Sequence, residues 1–169
     1  VKIAILSDTH GTFDDLIKKY LIDVDVIIHA GDWGGNCKVY DDMILLGKQI
    51  IGVFGNIDSH EMRLICPKVQ YGNIEGLKLA MTHIAGNPNN YNPETKELLN
   101  AQKPDIFICG HSHIVLVKKI PQFGNLLHIN PGAAGIHGFH NVRTLITCEI
   151  KDKKMSDMNL IELGPRTKS

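Results

Sequence analysis

The chain has 169 residues, 43% of them hydrophobic, which is the size of one domain with a substantial core. Its 18 Lys and Arg balance 18 Asp and Glu, so the charge gives no reason to expect long nucleic acid or disorder, while a nucleotide-like small substrate stays open. No run of about 20 apolar residues offers a membrane span, and KIAILSD at the N-terminus is too short and too soon interrupted for a signal peptide.

Short β-branched runs bounded by Gly, Asn or Asp predict strands over 2–6, 26–29, 50–54, 77–82, 105–109, 114–120, 126–129, 143–150 and 156–163. Helices are expected over 13–20, 39–46 and 93–102, the last with Asn92 as N-cap and Pro93 in its first position. The first half alternates strand and helix. The second runs strand after strand, with turns at 123–125 and 152–154. This order predicts an α/β fold with two packed mixed sheets rather than one doubly wound parallel sheet. No internal repeat or long linker divides the chain, so residues 1–169 read as a single domain. Cys37, Cys66, Cys109 and Cys148 form no CxxC pair, and reduced thiols in a cytoplasmic protein are the expected state.

Five predicted strands end alike. IAIL runs into Ser7-Asp8-Thr9-His10, VIIHA into Gly31-Asp32, and IIGVF into Gly55-Asn56-Ile57-Asp58. LKLAM runs into Thr82-His83, and IFIC into Gly110-His111-Ser112-His113. Strands lying side by side would gather these groups at the carboxyl edge of a sheet, where ligands of open α/β sheets bind. Packing gives no reason to end buried strands in imidazoles and carboxylates. Seven such donors exceed one tetrahedral zinc, and no thiolate is among them. They suit two divalent ions that share a carboxylate and clamp a phosphoryl group.

In order and spacing, Asp8-x-His10, Gly31-Asp32, Gly55-Asn56-x-Asp58, His83 and Gly110-His111-Ser112-His113 resemble the motif ladder of the calcineurin-like metallophosphoesterases. Asn130-Pro131-Gly132 resembles a segment of the small phosphodiesterase branch of that superfamily. The resemblance implies a four-layer α-β-β-α sandwich and a metal-dependent phosphodiesterase. It assigns Asp8, His10 and His113 to one metal, Asn56, His83 and His111 to the other, and Asp32 to both. A hydroxide between the ions would attack phosphorus, Asn56 would donate to a phosphoryl oxygen, and Asp58 would assist by orienting a neighbour. The ions are expected to be divalent, Mn2+ foremost, with Ni2+, Fe2+ or Zn2+ as alternatives.

One position departs from the wider pattern. Many phosphomonoesterases of the superfamily carry His after the Gly-Asn pair, where this chain has Ile57. An isoleucine cannot protonate a leaving alkoxide, so rate is expected to fall steeply as the leaving-group pKa rises unless His60, His137 or His140 supplies the proton. The glycine-rich stretch holding His137 and His140 is expected to line the site. Residues 85–92, with Tyr91, read as a substrate-contacting lid. His29 and His128 read as core histidines, and Arg63 and Arg143 as surface ion-pair partners in preference to phosphate ligands. Trp33 fits either the pocket wall or the core.

The partner expected is a small phosphoester, with no membrane and no long nucleic acid. A homo-oligomer is in keeping with the self-association common among relatives. Two alternatives stand beside the phosphodiesterase: a catalytically weak protein-interaction scaffold on the same fold, and a phosphomonoesterase. The complete donor ladder disfavours the scaffold, and Ile57 disfavours the phosphomonoesterase.

Overall fold

In a computed structural model, which describes residues 1–167, strand β1 (Lys2–Leu6) turns Ile3 and Ile5 to one face and Ala4 and Leu6 to the other. All four are buried. A strand apolar on both faces belongs at the centre of a covered sheet, and β1 lies there. It pairs in parallel with β2 (Val26–His29), which pairs in parallel with β3 (Gln49–Gly52). On its other side it pairs antiparallel with β11 (Val142–Lys151), which pairs with β12 (Lys154–Pro165). The order of this sheet is β12-β11-β1-β2-β3.

The second sheet sets its three parallel strands in the middle. β5 (Leu77–Thr82), β8 (Ile106–Ile108) and β10 (Leu126–Pro131) are parallel. β4 (Val69–Ile74) and β9 (Val115–Ile120) pair antiparallel at its edges, giving β4-β5-β8-β10-β9. A two-stranded ribbon, β6 (Gly86–Asn87) with β7 (Asn90–Tyr91), stands apart.

Helices close the two outer faces. α1 (Asp15–Leu21), α2 (Lys38–Ile44) and α3 (His60–Ile65) bury Ile17, Leu21, Met43 and Met62 against Ala4, Leu6 and Ile27 of the first sheet. α4 (Pro93–Gln102) buries Leu98 and Leu99 beside Ala80 and Phe107 of the second. Between the sheets lies a third core, with Ile5, Ile28, Met81 and Ile108. The result is the expected four layers, two mixed sheets flanked by helices.

Side-chain caps fix where three of the four α-helices start. Asp14 accepts from the Ile17 amide, Ser59 from Met62, and Asn92 from Thr95, with Pro93 in the first turn. Helix α3 and strand β4 were not foreseen, and β3 ends before the predicted Phe54. No helix among the described residues is long and apolar enough to cross a membrane. The four cysteines are buried and unpaired.

Candidate metal centre

The five loops that leave β1, β2, β3, β5 and β8 at their carboxyl ends converge. Donor atoms of Asp8, His10 and His113 lie within 4.8 Å of one another, as do those of Asp32, His83 and His111, so each group is able to hold a metal ion. Asp32 Oδ2 lies 3.4 Å from His10 Nε2 in the first group and 3.2 Å from His83 Nε2 in its own. That carboxylate therefore stands between the two groups. Asn56 Oδ1 lies 3.1 Å from His83 Nε2 and 3.0 Å from His111 Nδ1.

Bringing the loops this close requires bare backbone. A Cβ on Gly55 would fall on the Asp32 carboxylate, and one on Gly110 on Ser7 Oγ. The donors themselves are turned inward by unusual backbone. Asp8, His10, Asp32, His111 and His113 all have φ between 45° and 70°, the left-handed region that costs a non-glycine residue and gathers at functional sites.

The atoms that meet here are predominantly acceptors. His83 Nδ1 lies 2.7 Å from the Ala30 carbonyl, which can only accept, so this nitrogen carries the proton. His83 Nε2 then points a lone pair at the oxygens of Asp32 and Asn56. His10 Nε2 is buried with no hydrogen-bond partner. Lone pairs facing lone pairs need cations between them, and a set of carboxylate, amide and imidazole donors fits divalent ions of the Mn, Fe, Ni or Zn kind.

Without ions, protons are drawn in instead. Close contact with Asp8 raises the His10 pKa, against the effect of burial and with help from Asp32. Burial lowers that of His83, but Asp32 and Asp8 outweigh it and the net shift is upward. Burial pushes the Asp8 carboxyl up, yet His10, His113, His83 and Ser7 together hold it well below the usual carboxylate range. Asp32 behaves likewise through His83.

Other predicted residues fall in different places. Asp58 is buried and does not join the donors. Its carboxylate accepts from Gly34 N at 2.9 Å and Gly55 N at 2.7 Å, which ties the Asn56 loop to the Asp32 loop. His137 stacks on His10 with ring centroids 5.6 Å apart, and His140 meets His113 edge-on at 5.1 Å. His140 Nε2 contacts the Gly135 carbonyl, and its Nδ1 is buried without a partner. His60 opens α3 at the surface, and no hydrogen bond or ring contact joins it to the donors among the described residues. Its candidacy as a proton donor has no support in this placement.

Tyr91 is corrected outright. It is 2% exposed, its hydroxyl lies 2.6 Å from His128 Nδ1, and its ring packs against Phe107 and Phe123. It is a core residue and does not face the cleft. His29 and His128 are core histidines as expected, pushed down by burial to about 3 and about 4. Gly31 N donates to His29 Nδ1, so its Nε2 donates to Thr9 Oγ1, which donates to the Trp33 carbonyl. Trp33 is fully buried, stacked on His29 and bonded to the Val53 carbonyl, which places it in the core. Arg143 is ion-paired as expected, to Asp14 at 2.9 Å, but it is 4% exposed and not a surface group.

Two supporting residues escaped sequence reading. Ser7 Oγ donates to Asp8 Oδ2 at 2.6 Å. Asn130 donates to the Gly110 carbonyl and Ser112 Oγ and accepts from Gly132 N, clamping the loop that carries His111 and His113. The adjacency of Ser7 to Asp8 was the one available signal for the first. The second stood inside the Asn130-Pro131-Gly132 segment without a role.

No curated protein matches the chain by sequence. Among solved structures, wild-type Vps29 from Entamoeba histolytica complexed with Zn2+ superposes with a TM-score of 0.73 at 18% identity, over 97% of this chain and 100% of that one. A predicted phosphoesterase from Streptococcus pneumoniae gives 0.69 at 20% identity, over 96% and 89%. A Thermotoga maritima protein gives 0.69 at 22%, over 95% and 98%. These likenesses are of fold. The family model described as the calcineurin-like phosphoesterase superfamily domain matches residues 1–153, nearly the whole chain, and the chain belongs to that superfamily.

Proposed function

We propose that this protein is a two-metal phosphoesterase acting on phosphodiesters, with Asp8, His10 and His113 holding one ion, Asn56, His83 and His111 the other, and Asp32 shared. The observation that carries the reading is the position of Asp32 Oδ2 between two complete donor groups. Bound there, two divalent ions, Mn2+ foremost, supply an acidified water for attack on phosphorus and positive charge for the phosphoryl oxygens. The chain's own groups do the rest. Asn56 turns Oδ1 to the histidines, which leaves its amide N–H groups to donate to a phosphoryl oxygen. The Ala30 carbonyl fixes the His83 tautomer, and Ser7 fixes the Asp8 carboxylate. Asp58 acts as a positioning residue for the Asn56 loop. Ile57, half exposed beside Asn56, offers no proton, which favours diesters with good leaving groups over monoesters. Four buried, reduced thiols accord with a cytoplasmic setting.

The test is hydrolysis of bis-p-nitrophenyl phosphate against p-nitrophenyl phosphate by metal-stripped protein, then with Mn2+, Ni2+ or Zn2+ restored. Diester cleavage is expected to need metal, to exceed monoester cleavage, and to fall by about 100-fold or more in Asp32→Ala and Asn56→Ala. A second reading, a protein-interaction platform, is favoured by the full exposure of Phe139 in the loop that carries His137 and His140, and by exposed Ile114 next to His113. Folded protein that holds ions yet cleaves neither ester would decide for it.

A further inference from the structure

Beside the donors lies a cavity of about 360 Å3 whose lining includes Phe54, Asn56, Arg63, Lys68, His83 and Glu94. Asn56 and His83 belong to the donor cluster, so a phosphoryl group held there has this cavity next to it. On its wall, Arg63 is fixed in an uncommon way for an exposed side chain. Its guanidinium carbon lies 4.6 Å from the centroid of the Phe54 ring. Its Nε donates to the Asp58 carbonyl at 3.2 Å and its Nη2 to the Asn56 carbonyl at 3.4 Å. Of the five N–H groups of a guanidinium, three remain.

The charges of the cavity are unequally matched. Lys68 is paired with Glu94 at 2.9 Å. Arg63 has no carboxylate within 4.0 Å among the described residues, contrary to the ion pair expected from sequence. An aromatic face and two carbonyls hold the cation still, which lowers the entropic cost of engaging it, and its planar fork suits a carboxylate or a phosphate.

We propose that Arg63 is a specificity-determining residue. It receives a second anionic group of the substrate, a carboxylate or phosphate on the ester arm next to the scissile phosphoryl group. The proposal rests on the phosphoesterase reading for the identity of that phosphoryl group. A neutral arm leaves the guanidinium in water and gains nothing from it. An anionic arm spans from the donor cluster to the fixed fork.

Three p-nitrophenyl phosphodiesters with one leaving group test this. The second arm is 2-carboxyethyl, 2-phosphonoethyl or the neutral 2-carbamoylethyl. With the metal-loaded chain, kcat/KM for the better anionic ester is expected to exceed that of the neutral ester by about tenfold, chiefly through KM. Which anionic arm leads identifies the group preferred. In Arg63→Met the ratio is expected to fall to near one, whatever happens to absolute rates, and in Arg63→Lys to keep part of its value. If Arg63 only braces the Asn56 loop, all three esters slow together and the ratio stands. That result, or a wild-type ratio near one, overturns the proposal. Calorimetric titration of 3-phosphonopropionate against propylphosphonate decides the matter should no ester be cleaved. An Arg63-dependent preference for the first keeps the anion subsite while the hydrolase reading falls, and equal binding removes the subsite.

Discussion

Asp8, His10, Asp32, His111 and His113 hold left-handed backbone in order to aim their side chains at a common point. Each such residue costs roughly 1 kcal/mol or more, which the surrounding packing must offset. His111 offers the cleanest test because it is the exposed member of its group. His111→Gly relieves the strain at φ 70° and is expected to leave the metal-free melting temperature at or above that of the wild type, while shrinking the rise that Mn2+ produces. Scanning fluorimetry reads both. A metal-free variant melting well below wild type would mean that the histidine is held by favourable contacts and carries no strain to release. The donors were legible because oxygens and imidazoles directly after buried strands have no packing rationale. Tyr91 misled because its neighbours in sequence are polar. The β6–β7 ribbon turns the ring inward against Phe107 and Phe123, and nothing local foretells that.

Between elements, the chief tie across the site's flank is the pair of Arg143, in β11, with Asp14, the N-cap of α1. Arg143 also donates to the Ala134 carbonyl, so it joins the start of α1 to the stretch that leads to His137. Removing one partner of a buried pair costs several kcal/mol, but Asp14 is 39% exposed and water screens it. Arg143→Met is therefore expected to cost about 2 kcal/mol in urea unfolding. Burial raises the Asp14 carboxyl, but Arg143 together with the Ile17 amide outweighs it and holds the carboxyl below its usual value. A depressed carboxylate stabilises fully above its unfolded pKa of about 3.9 and ceases to do so as pH falls through the lower folded value. The gap between wild type and Arg143→Met should accordingly narrow below about pH 4, and a gap constant down to pH 2.5 would assign the loss to packing. The longer elements were legible from apolar runs and, for α4, from its Asn92-Pro93 start. Helix α3 has six residues and one buried side chain, Met62, too little for a periodic signal. Strand β4 is an edge strand interrupted by Gly72 and mostly part-exposed, so its alternation is weak.

The whole molecule is two five-stranded sheets back to back, each built on three parallel strands, with both remaining strands on one side in the first sheet and one at each edge in the second. The sequence announced this through the change from alternating strand and helix to consecutive strands. It could not announce which strands pair, because β1 with β11 and β5 with β8 meet only through long-range packing. Asp8 and Asp32 come from the first sheet, His83 and His111 from the second, so ions held among them would cross-link the layers. Adding Mn2+ to metal-free protein is expected to slow hydrogen exchange in β1, β2, β5 and β8 by similar factors. Protection confined to one sheet would place the ions in that sheet's loops alone. The three apolar cores, by contrast, contain none of the seven donors. Donor groups and architecture are thus written in separate sets of positions. Over evolutionary time such a chain can shed its donor groups through a few loop substitutions and keep its shape, or regain them by the same short path. A descendant of this fold that binds partners instead of cutting esters needs no new core, only a change of vocation at one rim.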